Sequence, residues 1–328
     1  MLLPSSLLSI SDIEYSGTPF EAESESVLLL TGGYTGRGST EVHPTTSTKV
    51  YPTTSGCSLP PLPTVRRDHV TFITSDPDPV IATCGGAIRT RATSSCLVLD
   101  QSNQRWDDSR MGRLTTQRYI GAITRMNFIG VFFIGGHSAS HVRNSDFLAA
   151  GSLQWQKGPA LPVDMRRPCA VTISATSFLA IFDNDIREFD VAIAGPTSTD
   201  SWRDASRWPK LKTRGGPRPG CAKVGQKVII AGGANDGSTE LLDLIDRSIT
   251  STGNMAMPRR KFPIATVISG GKVRTFALGG YISSTSTGVD TVEEWVEESS
   301  TWKGADSLTE ARYGFGAVAV PRALVCPA

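Results

Sequence analysis

The sequence predicts an all-β fold, a six-bladed β-propeller built from short antiparallel sheets set around one axis. The first observation is a repeated apolar run closed by a glycine pair: LLLTGGY (28–34), IATCGGA (81–87), VFFIGGH (131–137), VIIAGGA (228–234) and TFALGGY (275–281), with LAIFDND (179–185) in the remaining slot. The second is the spacing. The markers Gly32, Gly85, Gly135, Asp183, Gly232 and Gly279 stand 53, 50, 48, 49 and 47 residues apart, a period that belongs to propeller blades rather than to helical repeats. The third is the end of the chain: one further period after Gly279 reaches residue 328, the last one.

Each unit carries its parts in the same order. An Arg-containing turn comes first, followed by an apolar inner strand such as CAVTISA (169–175) or PIATVISG (263–270). The second strand ends in Gly-Gly, because the chain there needs residues that take positive φ and leave room for a neighbour, which glycine does without steric cost. Aspartate and asparagine are the next most tolerant of that region, so Asp183-Asn184 reads as a degenerate blade and not as a break between domains. Third strands follow as SSCLVLD (94–100), TELLDLID (239–246) and TVEEWVEE (291–298), and fourth strands are expected near Trp106, Trp155, Trp208 and Trp302. Blades one and five offer CSLPPLP and SITSTGN in place of that tryptophan.

Ring closure follows from the count. EARYGFGAVAVP (310–321) reads as an inner strand with no blade of its own, while VLLLTGG near the start lacks one. Residues 313–320 are therefore expected to complete the N-terminal blade, whose other strands lie within 27–62; otherwise that blade would keep an open inner edge. The domain reading is a poorly structured segment over 1–26, a propeller over 27–321 and a tail over 322–328.

Composition narrows the function classes. There are 33 basic and 31 acidic residues, which gives no electrostatic footprint for nucleic acid, and no charge run suggests a membrane surface. No apolar run approaches the ~18 residues that span a bilayer. MLLPSSLLSI lacks a basic flank and a cleavage pattern, so no signal peptide is assigned. No cofactor is expected, and a monomer is.

The apolar Gly-Gly run, the tryptophan and the recurring arginine together resemble the kelch-repeat family, most clearly in KVIIAGGANDGSTELLDLID (227–246), and the likeness runs over residues 27–320. That resemblance implies a propeller with four strands per blade and, in most members, a non-catalytic role in holding a protein partner. The chain shows no BTB or BACK region, so the ubiquitin-ligase adaptor role of many kelch proteins is not implied. The alternative is a carbohydrate-active enzyme or sugar-binding protein, since kelch-like propellers include a copper oxidase of galactose and a sialic-acid epimerase. Four histidines argue against such a copper site.

Candidate binding residues sit in the loops of one face. Arginine recurs before every inner strand, as Arg66-Arg67, Arg118, Arg166-Arg167, Arg218, Arg259-Arg260 and Arg312. In the kelch consensus one arginine per blade ties neighbours together, so the first of each pair is assigned to structure. Arg67, Arg118, Arg167, Arg218, Arg260 and Arg312 form the candidate ring for an acidic peptide or protein segment, whose carboxylates match the guanidinium fork. The second set follows Gly-Gly: Tyr34, His137, Asn235 and Tyr281. Their tyrosines match the position where aromatic residues line the peptide pocket of intracellular kelch adaptors.

Three weaker patterns carry little. GGYTGRGST (32–40) lacks the lysine of a phosphate loop, His137 and His141 have ligand spacing only on a helix, and STDSWRDASRW (198–208) lacks the Gly and Thr of a sialidase box.

The repeat frame also sets the cysteines side by side. Cys84 and Cys96 face each other across a hairpin, where a disulfide is feasible; Cys169 and Cys221 fall on adjacent inner strands, and Cys57 and Cys326 flank the closing seam. Buried free thiols are the competing reading. Paired cysteines, and a likeness to secreted invertebrate kelch proteins, tilt the localisation outward, with the cytoplasm as the alternative.

Overall fold

A computed structural model describes residues 25–35, 43–44, 47–52, 57, 59–75, 79–138, 143–212, 219–233 and 237–326. They form the six-bladed propeller. Blade 2 runs from its inner strand Val70–Ile73 through Ile81–Cys84 and Cys96–Asp100 to Arg105–Asp107, and blade 3 through Ala122–Met126, Gly130–Ile134, Ser145–Ala149 and Gln156–Lys157. Blade 5 comprises Gly220–Val224, Lys227–Ala231, Thr239–Asp243 and Ile249–Ser251; blade 6 comprises Ile264–Ser269, Lys272–Leu278, Val292–Val296 and Thr301–Ala305. Blade 4 has three strands among the described residues, Cys169–Thr172, Ser177–Phe182 and Asp185–Asp190.

The second strands are continuous apolar runs because they are buried on both sides: every residue of GVFFI and of SFLAIF is buried. The core accordingly lies between blades, not at one centre. Phe132, Phe147, Phe178 and Phe189 fill the seam between blades 3 and 4; Val228, Ile230, Leu179 and Ile181 fill the next.

The tail closes the ring. Gly316–Pro321 pairs antiparallel with Ser26–Thr31 along its full length, and Thr48–Tyr51 adds the next strand of blade 1. The strand begins three residues later than 313 because Arg312–Tyr313 pair instead with Tyr34–Thr35 and Gly314 turns the chain at φ 61°. The residues that follow are not loose: Arg322–Val325 form a helical turn, Val325 is buried, and Cys326 is bonded to Cys57. Most of the segment assigned to 1–26 lies outside the described residues; Ser26 already belongs to the strand. Cys84–Cys96 and Cys169–Cys221 are the other two disulfides, the latter joining the inner strands of blades 4 and 5.

Asp183 takes φ 48°, as its slot requires. Yet Asp183-Asn184 does more than stand in for glycines. Phe182 pairs directly with Asp185, so the two residues are the entire turn between the second and third strands. The tryptophans also depart from expectation in this blade. Trp106 and Trp302 donate from Nε1 to the preceding blade, at the Pro60 carbonyl and Thr239 Oγ1. In blade 4 that role falls to Trp202, which reaches the Ala160 carbonyl, while Trp208 turns back to Glu188 of its own blade.

Candidate functional site

The site grows out of the turn that precedes each inner strand. Arg66 is fully buried; its guanidinium donates to the carbonyls of Gly85 and Ser95 at 2.9 and 2.8 Å. Its own carbonyl accepts the Gly33 N–H of blade 1 at 2.8 Å. One residue thus fixes the glycine turn of its own blade and grips that of the blade before. Arg118, Arg259 and Arg312 repeat the arrangement, with Gly86 and Gly280 donating to the carbonyls of Arg118 and Arg312. This close approach, not a neighbouring strand, is why glycine is needed. A Cβ on Gly85, already at φ 66°, would lie 2.8 Å from the Arg118 carbonyl oxygen.

Two members of the candidate ring are therefore displaced. Arg118 and Arg312 are 0% and 1% exposed and engaged with Asp146 and Glu310, so they serve the seams and not the rim. The reason is positional: each is the first residue of its turn, and that place points inward. In blade 4 the inward place belongs to Met165, whose carbonyl accepts Gly136 N–H. Arg166, assigned to structure, is consequently exposed. Arg218 and Asn235 lie outside the described residues, as does His141.

The next residue of the turn, half-buried at Arg67, Tyr119 and Arg260 and buried at Tyr313, pairs antiparallel with the residue after Gly-Gly. The pairs are Tyr313 with Tyr34, Arg67 with Ala87, Tyr119 with His137, and Arg260 with Tyr281. Only Arg260 with Tyr281 joins a member of one candidate set to a member of the other. The paired side chains form one arc across blades 6, 1, 2 and 3. Tyr281 and Tyr313 are 4.9 Å apart between ring centroids, and Tyr313 stacks on Tyr34 at 5.0 Å. Arg67 lies over Tyr34 at 5.3 Å and over Tyr119 at 5.9 Å, and Tyr119 meets His137 at 5.3 Å. At the other end Arg260 and Lys261 lie over Tyr281, at 5.3 and 5.2 Å.

Tyr119, Tyr313 and Lys261 stand outside the two candidate sets that the repeat pattern singles out. Each directly follows an arginine of the series, and that adjacency is the signal that identifies them.

The cations of the arc differ in their partners. Arg67 is paired with the nearly buried Asp68 at 2.7 Å. Among the described residues, by contrast, the Arg260 guanidinium has only Tyr281 beneath it, and its buried Nε has no hydrogen-bond partner. Burial, reinforced by the neighbouring phenols and Asp68, pushes Tyr313 up to about 12, and burial also raises Tyr34. Both phenols stay protonated near neutrality and remain hydrogen-bond donors.

The third residue of the turn lines the mouth of the axial channel. Asp68, Ile120, Arg167, Lys261 and Gly314 all take positive φ there, between 54° and 65°. Asp68 N–H donates to Gly314 O, Ile120 N–H to Asp68 O and Gly314 N–H to Lys261 O, a chain of bonds from blade to blade. Beneath it the buried His69 bonds Thr31 Oγ1 through Nε2 at 2.8 Å. Desolvation, with Arg66 adding to it, lowers His69 to about 3, so the ring is neutral.

No group of His, Cys, Asp and Glu suited to a metal ion occurs among the described residues, and no described helix is long and apolar enough to cross a membrane. No family model matches this sequence, and no curated protein matches it.

Proposed function

We propose that the chain is a kelch-type propeller that binds a protein partner non-catalytically, by an acidic segment laid along the tyrosine–cation arc. The observation that carries this reading is that Arg67, Arg260 and Lys261 already rest on the rings of Tyr34 and Tyr281. Guanidinium and ammonium groups held this way lose little freedom when a carboxylate arrives, which favours binding through lower ordering cost. Tyrosine and arginine are also the residues that dominate interface energies. An interface of ~800 Å² per partner fits on a face spanning four blades.

The three disulfides support an oxidising compartment, since such bonds are rare in the cytosol. Unreduced protein, once denatured, is then expected to show none of its six thiols to an alkylating reagent.

An array of acidic peptides, matched neutral peptides and glycans tests the main reading. Acidic peptides should bind, and Arg67→Ala with Arg260→Ala should weaken them by roughly a hundredfold, about 1.4 kcal/mol per arginine. Binding of glycans alone, or acidic-peptide binding indifferent to the double substitution, would sink it.

A further inference from the structure

We infer that the axial cavity opening beside the arc is a separate site for a small monocarboxylate with an apolar body. The cavity measures about 230 Å³. That is below the roughly 300–1,000 Å³ of sites for drug-sized ligands, so its occupant is small.

Its walls combine two chemistries. Ile120, Ile123, Pro168, Phe262 and Phe315 supply apolar surface. Arg167 stands at the mouth, and among the described residues its guanidinium has no hydrogen-bond or ion-pair partner. A guanidinium fork is the donor that fits a carboxylate in two parallel bonds. His69 also lines the cavity; it is 5% exposed, and its buried Nδ1 has no partner among the described residues. A buried ring nitrogen without a partner carries a desolvation cost that a polar group of a ligand would relieve.

Asp68 belongs to the same wall. Arg67 offsets its carboxylate at 2.7 Å, which leaves the Arg167 guanidinium as the wall's one cation without a partner among the described residues, enough for a single carboxylate. Lys261, the other cation of the wall, is already drawn over the rings of Tyr281 and Tyr313. Monocarboxylates are thereby favoured over phosphate, and an apolar body over a hydrophilic one. The cavity shares Lys261 with the arc and touches it through the Arg67–Asp68 pair, but Arg167 and Arg260 separate the two: Arg167 lines the cavity alone, and Arg260 is absent from its walls.

Benzoate, benzyl alcohol and inorganic phosphate are the probes, titrated calorimetrically into the intact protein. Benzoate should saturate a single site with Kd in the millimolar range or tighter, and the alcohol and phosphate should bind about tenfold more weakly or worse. Arg167→Gly should abolish benzoate binding; Arg167 sits at φ 55°, which glycine accepts without strain. The Arg260→Ala protein should keep it, because Arg260 is absent from the cavity walls. A second measurement needs no variant: benzoate should slow modification of Arg167 by phenylglyoxal, mapped by peptide mass, while leaving Arg166 unaffected. No saturable benzoate binding up to roughly 20 mM, equal binding of the alcohol, retention in Arg167→Gly, or loss in the Arg260→Ala protein would each overturn the assignment.

Discussion

Blades 3 and 4 are neighbours that solve the same problem with different residues. In blade 3, Arg118 and Asp146 form an ion pair at 2.6 Å with neither side chain exposed, and Arg118 also caps the carbonyls of Gly135 and Asn144. Blade 4 places Met165 there and has no buried guanidinium among its described residues. Its ion pairs join buried carboxylates to partly exposed cations instead. Glu188 accepts from Arg207 and Trp208, Asp190 from Arg203, and Asp185 from Arg187 and Lys210. The difference follows from loop length. Blade 3 spans residues 135–144 between its second and third strands, and such a loop leaves buried carbonyls that need donors. Blade 4 spans two residues, Asp183 and Asn184, and the Asn184 carbonyl accepts the Leu211 N–H, so a backbone donor stands where blade 3 uses a guanidinium. What both keep is the backbone carbonyl that accepts from the preceding glycine pair. The carbonyl holds the ring together, and the guanidinium serves the loop.

Exchanging the two turn residues tests this with the largest effect. Gly135 and Asp183 share nearly the same φ, 61° and 48°, so backbone strain alone does not separate them. A Cβ on Gly135, however, would press on the Met165 carbonyl oxygen more closely than real Cβ atoms come. Gly135→Asp is expected to cost more than about 4 kcal/mol and to leave little folded protein. Asp183→Gly, in the blade without a loop, should shift stability by less than about 1 kcal/mol. Urea unfolding of the pair decides it: comparable losses in both would show that conformation, not close approach, selects glycine here.

Next in size is the buried pair itself. Arg118→Met, which copies blade 4, strands the Asp146 carboxylate and two carbonyls, and should cost about 3–5 kcal/mol. Adding Asp146→Asn removes the charge but keeps an acceptor for the Thr115 N–H and hydroxyl, which Asp146 holds. The double variant should recover about half of the loss. A cost below about 1 kcal/mol for Arg118→Met would mean that methionine serves a looped blade as well as a tight one.

The same contrast shows what was legible in the sequence. Blade count, ring closure and the slot of Asp183 follow from spacing and from the conformations that Gly, Asp and Asn allow, all local properties. The cross-blade cysteine neighbours follow from the repeat frame as well. Which arginine points inward is not local. Arg118 and Arg67 are both single letters in an Arg-rich turn, and only the register of that turn against the previous blade's glycines sends one into the seam and the other onto the arc. The one-residue shift that gives Met165 the inward place in blade 4 leaves no mark beyond the methionine itself. Tyr119 and Tyr313 carry a local mark, the arginine before each, but their meaning lies in pairing with His137 and Tyr34, about 18 and 280 residues away along the chain.

The smallest expected effect concerns acid. Three places after the inward residue stand His69, Gly121, Pro168, Phe262 and Phe315, and only the first of these titrates. His69 is held neutral at about 3 in the folded protein against 6.5 when unfolded. The unfolded chain therefore takes up a proton that the folded one refuses as pH falls below about 6.5. Stability should be flat above that value and decline toward pH 3 by up to ~1.4 kcal/mol per unit from this group. Acidic residues with depressed folded values, such as Asp185 and Glu294, add a decline of the same sign at lower pH. His69→Gln keeps a partner for Thr31 and removes the titration, so the wild-type minus variant difference isolates the histidine. Hydrogen exchange should locate the early opening at Thr31 and Thr71, in the seam between blades 1 and 2, while blade 4, with proline in that place, holds. Parallel stability curves for the two proteins from pH 6.5 down to about 4.5 would show that the seam admits a charged imidazole after all.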